Sequence, residues 1–365
     1  MHDCLIIGGG VVGLSLAYEL ARAGKRVCVI DRRRVGREAS WAGAGILPPA
    51  PPNDTSDPLC HLERLSGELH RRWAEELRAT TGIDTGYRRS GGLHVAFDDE
   101  TELALRSTMT ERVVAGVDVK ELSSTGVARI EPALAPARCG FLLNDECQIR
   151  NPRHLKALEA GCALRGVDVI TGVEAIDFDM HGDRVEGLRT SGETLEAARY
   201  CICGGAWSGA LLARLGCNLN TRPVRGQMAL LNTAPFLLWH IVNEGQRYIV
   251  PRGDGRFLVG STVEDIGFDC RTTAGGIGGL LEFARRLVPQ LAAAELEQCW
   301  AGLRPGTVDG LPYLGKVPGV ANAFVAAGHF RAGLHLSTGT ARVMSQVLRD
   351  VEPDIDLLPF RVDRT

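Results

Sequence analysis

Gly8, Gly10 and Gly13 stand at the spacing G-x-G-x-x-G, and Asp31 follows eighteen residues after the last of them. This set of residue types handles a dinucleotide. Gly8 permits a tight turn, Gly10 lets a pyrophosphate reach the backbone, and Gly13 lets a helix lie close to a strand. An acid at Asp31 accepts hydrogen bonds from an adenosine ribose and repels a 2′-phosphate. NADP is therefore disfavoured, while NAD and FAD stay open.

Such glycines work only between a strand and a helix, and the flanking residues supply both. Residues 4–7 are apolar and β-prone, as a buried parallel strand requires. A helical pattern follows, and residues 27–31 read as a second strand ending on the acid. The helix N-terminus then points N–H groups and a partial positive charge at the phosphates. Strand, glycines, helix, strand and acid in one register exceed what an ordinary Gly-rich turn shows. A secretion signal is disfavoured, because no basic stretch precedes the apolar run, Asp3 opens it and three glycines interrupt it.

The chain has 365 residues, enough for a large core and two domains. Hydrophobic content of 45% and charged content of 23% are ordinary for a globular protein. A net charge of −3 and a pI near 6.3 leave no basic field for nucleic acid or anionic lipid. No apolar run is long enough to span a membrane. The eleven cysteines are scattered, with no C-x-x-C pair and no histidines at zinc spacing, so neither disulfides nor a metal are expected. The odd count and apolar neighbours predict reduced thiols in a cytoplasmic protein. Cys201 and Cys203, in one predicted strand, are expected on opposite sides of it.

Further along, residues 39–47 are small and would let a ligand lie against backbone, and prolines at 48–52 make a stiff connector. Leu59, Leu62, Leu65, Leu69, Trp73 and Leu77 recur at helical spacing, predicting a helix over 57–82. Residues 91–97 read as a strand, 99–115 and 151–166 as helices, 167–172 as a strand and 173–198 as a β-meander. Strand 200–203 runs into the small turn Gly204-Gly205-Ala206-Trp207-Ser208 and a helix. Short strand-like segments fill 223–272, then a helix over 275–287, a strand over 300–303, a last strand over 320–327 and a C-terminal helix. The fold class expected is α/β, with a Rossmann-like unit assembled from 1–85, 146–220 and 300–365. An inserted, strand-rich α+β unit (86–145 and 221–299) would hold the substrate, because ligand sites favour such interfaces.

These segments, taken together, resemble the FAD-dependent D-amino-acid oxidase superfamily, and within it the glycine oxidases. The resemblance spans nearly the whole chain. It rests on the first glycine motif with Asp31, on 39–47, on Pro223-Val224-Arg225-Gly226-Gln227, and on Tyr248-Ile249-Val250-Pro251-Arg252. It continues through Gly302-Leu303-Arg304-Pro305-Gly306-Thr307 with Asp309-Gly310, and through Gly328-His329-Phe330-Arg331. It implies FAD held by a domain of the glutathione-reductase type, with an antiparallel-sheet substrate domain. FAD would lie against Gly8, Gly10, Val12, Gly13, Asp31 and Arg32, then Ser40, Ala42, Gly43, Ala44, Gly45 and Ile46. Val173, Gly204, Gly205, Trp207 and Arg304 would follow, and finally Gly328, His329, Arg331, Ala332, Gly333 and Leu334.

The resemblance also implies a reaction. Arg304 would clamp a substrate α-carboxylate through a bidentate pair, and Tyr248 would donate its phenol to the same group. Arg331 would sit near the amino side or the flavin edge. The Cα hydrogen of glycine, sarcosine or a small D-amino acid would leave as hydride to flavin N5. The imine would hydrolyse to a 2-oxo acid, and O2 would reoxidise the flavin to give H2O2. Gly333, Leu334 and Leu336 would open the final helix and aim N–H groups at charge arising on the flavin. Residues 311–314 offer no cysteine for a flavin bond, so the FAD is expected to be noncovalent. The chain departs from glycine oxidases at Gln246 (usually His), Val263 (usually Met), Ala332 (usually Asn) and His335. Two other readings share the cofactor: a dehydrogenase with a quinone or protein acceptor, and an accessory subunit acting on a protein. A homo-oligomer is suggested by analogy alone.

Overall fold

The computed structural model describes residues 1–52, 57–234 and 236–364. A six-stranded sheet forms in the order Tyr313–Lys316, Ala323–Ala327, Ala197–Ile202, His2–Ile7, Val27–Asp31, Asp168–Thr171. All neighbours are parallel except the first pair, which is antiparallel. The strand His2–Ile7 is buried on both faces because its residues alternate. Cys4 and Ile6 join a core with the helices Val11–Arg22, Leu59–Thr81, Asn151–Leu164 and Ser337–Val347. Leu5 and Ile7 join a second core, with Phe178, Val185 and Leu188 of the small antiparallel sheet built from 175–195. The helical stripe over 57–82 is the buried face of Leu59–Thr81: Leu62, Leu69, Trp73 and Leu77 all lie inside.

The second large sheet has eight strands, running from Glu295–Thr307 through Thr221–Asn232, Arg256–Gly260, Arg247–Pro251, Ile241–Glu244, Gly92–Ala96 and Cys139–Leu143 to Lys120–Ser123. One face carries Leu93, Val242, Ile249 and Val259 against the helix Ala274–Leu287. The other face carries Ile241, Tyr248, Val250 and Met228 toward Ala44 and Ile46 of the small-residue segment. The site lies on this second face.

Several expectations change here. The segments over 223–272 begin with one 12-residue strand, paired along its length with a 13-residue strand. Pro223 and Pro305, facing each other, had punctuated both patterns. The strand expected over 300–303 runs from Glu295 to Thr307. Tyr313–Lys316 is a strand that short length and Pro312 concealed. The final helix begins at Ser337, not at Gly333; residues 330–332 form one 3-10 turn and 333–336 are turn. Cys201 and Cys203 share a side, with sulfurs 3.9 Å apart, because strand side chains repeat every two residues. All eleven cysteines are free thiols. Among the described residues no group of His, Cys, Asp and Glu could hold a metal ion, and no helix is long and apolar enough to cross a membrane.

Candidate active site

One cavity of about 770 Å³ runs from the first glycine turn to the face of the eight-stranded sheet. Every residue expected at the cofactor or substrate borders it except Gly13 and Leu336. Gly13 lies beneath it, where a Cβ would overlap the Gly8 carbonyl. Gly8 sits at φ 113°, in the left-handed region, pressed against the Cys203 carbonyl. At Gly10 the nearest obstacle to a Cβ is Ser40 Oγ, 3.2 Å away. Gly8 thus makes the turn, Gly13 the close packing, and Gly10 faces the cavity.

The nucleotide end fits FAD. Asp31 accepts hydrogen bonds from the Gly9 and Arg33 amides, both at 2.9 Å, and keeps lone pairs for ribose hydroxyls. Burial raises its pKa, and those two amides oppose the rise. Arg32 lies 3.8 Å above the Trp207 ring, which fixes both side chains at the cavity wall. Asn151 donates to the Ser40 carbonyl at 2.7 Å, yet its Oδ1 is buried beside the cavity without a partner. A bound cofactor would satisfy that acceptor. Asn151 was not among the expected residues; only its place at the start of a helix hinted at it.

At the sheet end, Arg304 defines the site. Its strand pairs with Thr221–Asn232, and the guanidinium lies over Gly226, where any Cβ would overlap it. Nη2 donates to Ser261 Oγ at 2.7 Å and Nη1 to the Thr262 carbonyl at 3.2 Å. Among the described residues no carboxylate pairs with it. Burial lowers the guanidinium's pKa from its ordinary value, and the neighbouring Tyr248 phenol opposes this. Tyr248 points its hydroxyl at Met228 Sδ, 3.6 Å away, a weak acceptor that a better one would displace. Gly226→Ala is expected to push the guanidinium out of place and raise KM at least tenfold. Steady-state kinetics on the folded variant would check this.

Arg331 is exposed at the rim, and its two terminal nitrogens bond Gln246, one to the side-chain oxygen and one to the carbonyl, each at 3.0 Å. Val263 is 46% exposed and lies off the cavity wall. His335 is 4% exposed and borders the cavity; neither ring nitrogen is hydrogen-bonded, and Glu63 Oε1 lies 4.0 Å from Nε2. His70 donates Nε2–H to the carbonyls of His335 and Leu334, at 2.8 and 3.0 Å, and so holds the turn before the final helix.

Burial pushes His70 and His329 down to about 4, and His154 and His335 down to about 3, from an ordinary value of 6.5. The unfolded chain therefore takes up protons below pH 6.5 that the fold refuses, and stability falls as pH drops from there toward 4. The thermal midpoint is expected to be several degrees lower at pH 5 than at pH 7. An unchanged midpoint would mean that these rings are protonated in the fold.

A parallel-sheet nucleotide fold, a half-buried arginine that no carboxylate among the described residues pairs with, and one cavity joining them define a dinucleotide-dependent enzyme. The model of the FAD-dependent oxidoreductase (DAO) family matches residues 3–347. Glycine oxidase from Pseudomonas putida is 36% identical, covering 98% of this chain and 97% of its own. The crystal structure of glycine oxidase from Geobacillus kaustophilus superposes with a TM-score of 0.95 at 35% identity, over 100% of this chain and 99% of that one. Hydrogen cyanide synthase subunit HcnC of Pseudomonas aeruginosa is 31% identical, over 100% of this chain and 96% of its own. The chain belongs to the FAD-dependent oxidoreductase family that includes the glycine oxidases, and its cofactor is FAD.

Proposed function

We propose that the protein oxidises glycine, sarcosine or a small D-amino acid at Cα, giving an imine that water hydrolyses to a 2-oxo acid and an amine or ammonia. The observation that carries this reading is Arg304, a half-buried cation with two oriented hydrogen bonds and, among the described residues, no carboxylate of its own. Bound, noncovalent FAD supplies the two-electron acceptor for the Cα hydrogen and its electron pair, and O2 then takes the electrons as H2O2.

The protein's part is orientation. Ser261 and the Thr262 carbonyl hold the guanidinium so that its free edge meets both carboxylate oxygens. Tyr248 turns from Met228 to donate to the same group. Two donors on one carboxylate fix the direction of the Cα–H bond. No protein base is needed when the amine binds neutral. Arg331 and Gln246 form one edge of the entrance. The nucleotide-binding unit is assigned to 1–85, 146–220 and 300–365, and the substrate unit to 86–145 and 221–299.

A second reading is favoured by the similarity to HcnC, which is a subunit of a synthase: this chain would pass electrons to a partner or a quinone rather than to O2. Anaerobic mixing with glycine, sarcosine, D-alanine and D-proline separates the two. Bleaching of the flavin band by one of them, reversed by air with H2O2 formed, supports the oxidase. Bleaching that air reverses only slowly favours the other acceptor, and no bleaching by any of them contradicts both.

A further inference from the structure

The cavity's far wall carries a charge that the carboxylate clamp does not use. Register across the large sheet sets Tyr248 opposite Asn243, and Asn243 opposite His94. Directly paired residues share a face, so these side chains stand in a row, roughly 5 Å apart from strand to strand. All three border the cavity, and so does Glu146. Glu146 is only 2% exposed. Its Oε1 accepts from Asn243 Nδ2 at 3.2 Å, and its Oε2 lies 3.7 Å from His94 Nε2. His94 is itself held flat on Phe141, with ring centres 4.5 Å apart. Among the described residues no arginine or lysine pairs with the Glu146 carboxylate.

The backbone makes room for this anion. The carboxylate lies against Gly92, where any Cβ would overlap it. A glycine inside a strand weakens the strand and marks a close approach. Gly226 clears the same kind of space for Arg304. The cavity therefore holds two charges of opposite sign, a half-buried Arg304 and a buried Glu146, each laid over a strand glycine, and among the described residues neither has an arginine, lysine or carboxylate partner. Buried charges are costly unless paired, and a ligand charged at both ends would pair both. Arg304 reaches across the sheet to Ser261 and Thr262, just past the strand that neighbours Tyr248's, so a clamped carboxylate would lie at Tyr248, and the strands of Tyr248 and Gly92 are two steps apart, roughly 10 Å. Glycine cannot bridge that distance, whereas a side chain of lysine or arginine length can.

We propose that Glu146, His94 and Asn243 form a distal subsite for a cationic side-chain nitrogen. The substrate range then extends from glycine-sized acids to basic amino acids. The proposal rests on the reading of Arg304 as the carboxylate clamp. The experiment uses the FAD-loaded protein and measures kcat/KM for glycine and for both hands of lysine, Nε-acetyl-lysine and norleucine. Norleucine matches the lysine carbon chain without its charge. Lysine of one hand is expected to exceed norleucine and acetyl-lysine of the same hand at least tenfold. Glu146→Gln is expected to lower the lysine-to-norleucine ratio at least tenfold. A wild-type ratio near one, or a ratio unmoved by the substitution, overturns the subsite. Oxidation of glycine without any preference for lysine overturns the subsite alone and leaves the clamp standing. Failure of every amino acid to reduce the flavin overturns the clamp reading with it. If Glu146→Gln fails to fold, the comparison of lysine with acetyl-lysine on the wild-type protein decides.

Discussion

Replacing Arg304 by leucine is expected to lower kcat/KM for the amino-acid substrate by about three orders of magnitude while FAD stays bound. A desolvated, charge-assisted pair is worth about 2–5 kcal/mol when one partner is removed, and ~4 kcal/mol corresponds to that factor. Among the described residues the guanidinium is not part of a structural ion pair: it holds Ser261 Oγ and one backbone carbonyl. Leucine leaves no charge stranded there, so folding and flavin content should survive. Arg304→Lys keeps a charge but loses the planar fork, and an intermediate loss of about 10- to 100-fold is expected. Stopped-flow reduction of the flavin measures both variants. A variant Arg304→Leu that is reduced at the wild-type rate would remove the clamp from the account.

The second large effect is at Gly13. Any Cβ there would overlap the Gly8 carbonyl oxygen, which is backbone and cannot swing aside. Gly13→Val must therefore separate the strand His2–Ile7 from the helix Val11–Arg22. Overpacking of this kind costs about 1–3 kcal/mol or more, and it displaces the turn that receives the pyrophosphate. The variant is expected to purify colourless, to bind added FAD at least a hundredfold more weakly, and to melt several degrees lower. Gly24→Ala is the control, because no atom lies within 4 Å of the added Cβ. It should keep its flavin, with only the cost of a positive φ. Equal FAD content in Gly13→Val and the wild type would contradict the packing argument.

Local pattern made the nucleotide end legible. The glycine spacing, the apolar strands on either side and the stripe from Leu59 to Leu77 are properties of neighbouring residues, and the structure keeps each of them. The sheet end depends on register instead. Nothing in the spacing of Gly226, Ser261, Thr262 and Arg304 says that they meet; they meet because two long antiparallel strands align Gly226 with Gly302 and Val224 with Arg304. Resemblance named Arg304 and Tyr248, but not the residues that hold them. Glu146 was invisible for the same reason. It sits in the turn after Cys139–Leu143, and only the fold lays its carboxylate over Gly92. Cys201 and Cys203 differ from expectation for another reason: residues two apart in a strand share a face, so their sulfurs lie 3.9 Å apart.

The most direct test of the central claim is to reduce the flavin anaerobically with an amino acid and with its primary amide. Glycine and glycinamide share the Cα–H bond and the amine, and differ only in the carboxylate that Arg304 and Tyr248 would hold. The acid, or whichever small amino acid proves to be the substrate, is expected to bleach the flavin at least a hundredfold faster than its amide. Arg304→Leu is expected to erase most of that difference. Equal rates for acid and amide in the wild-type protein would contradict the claim.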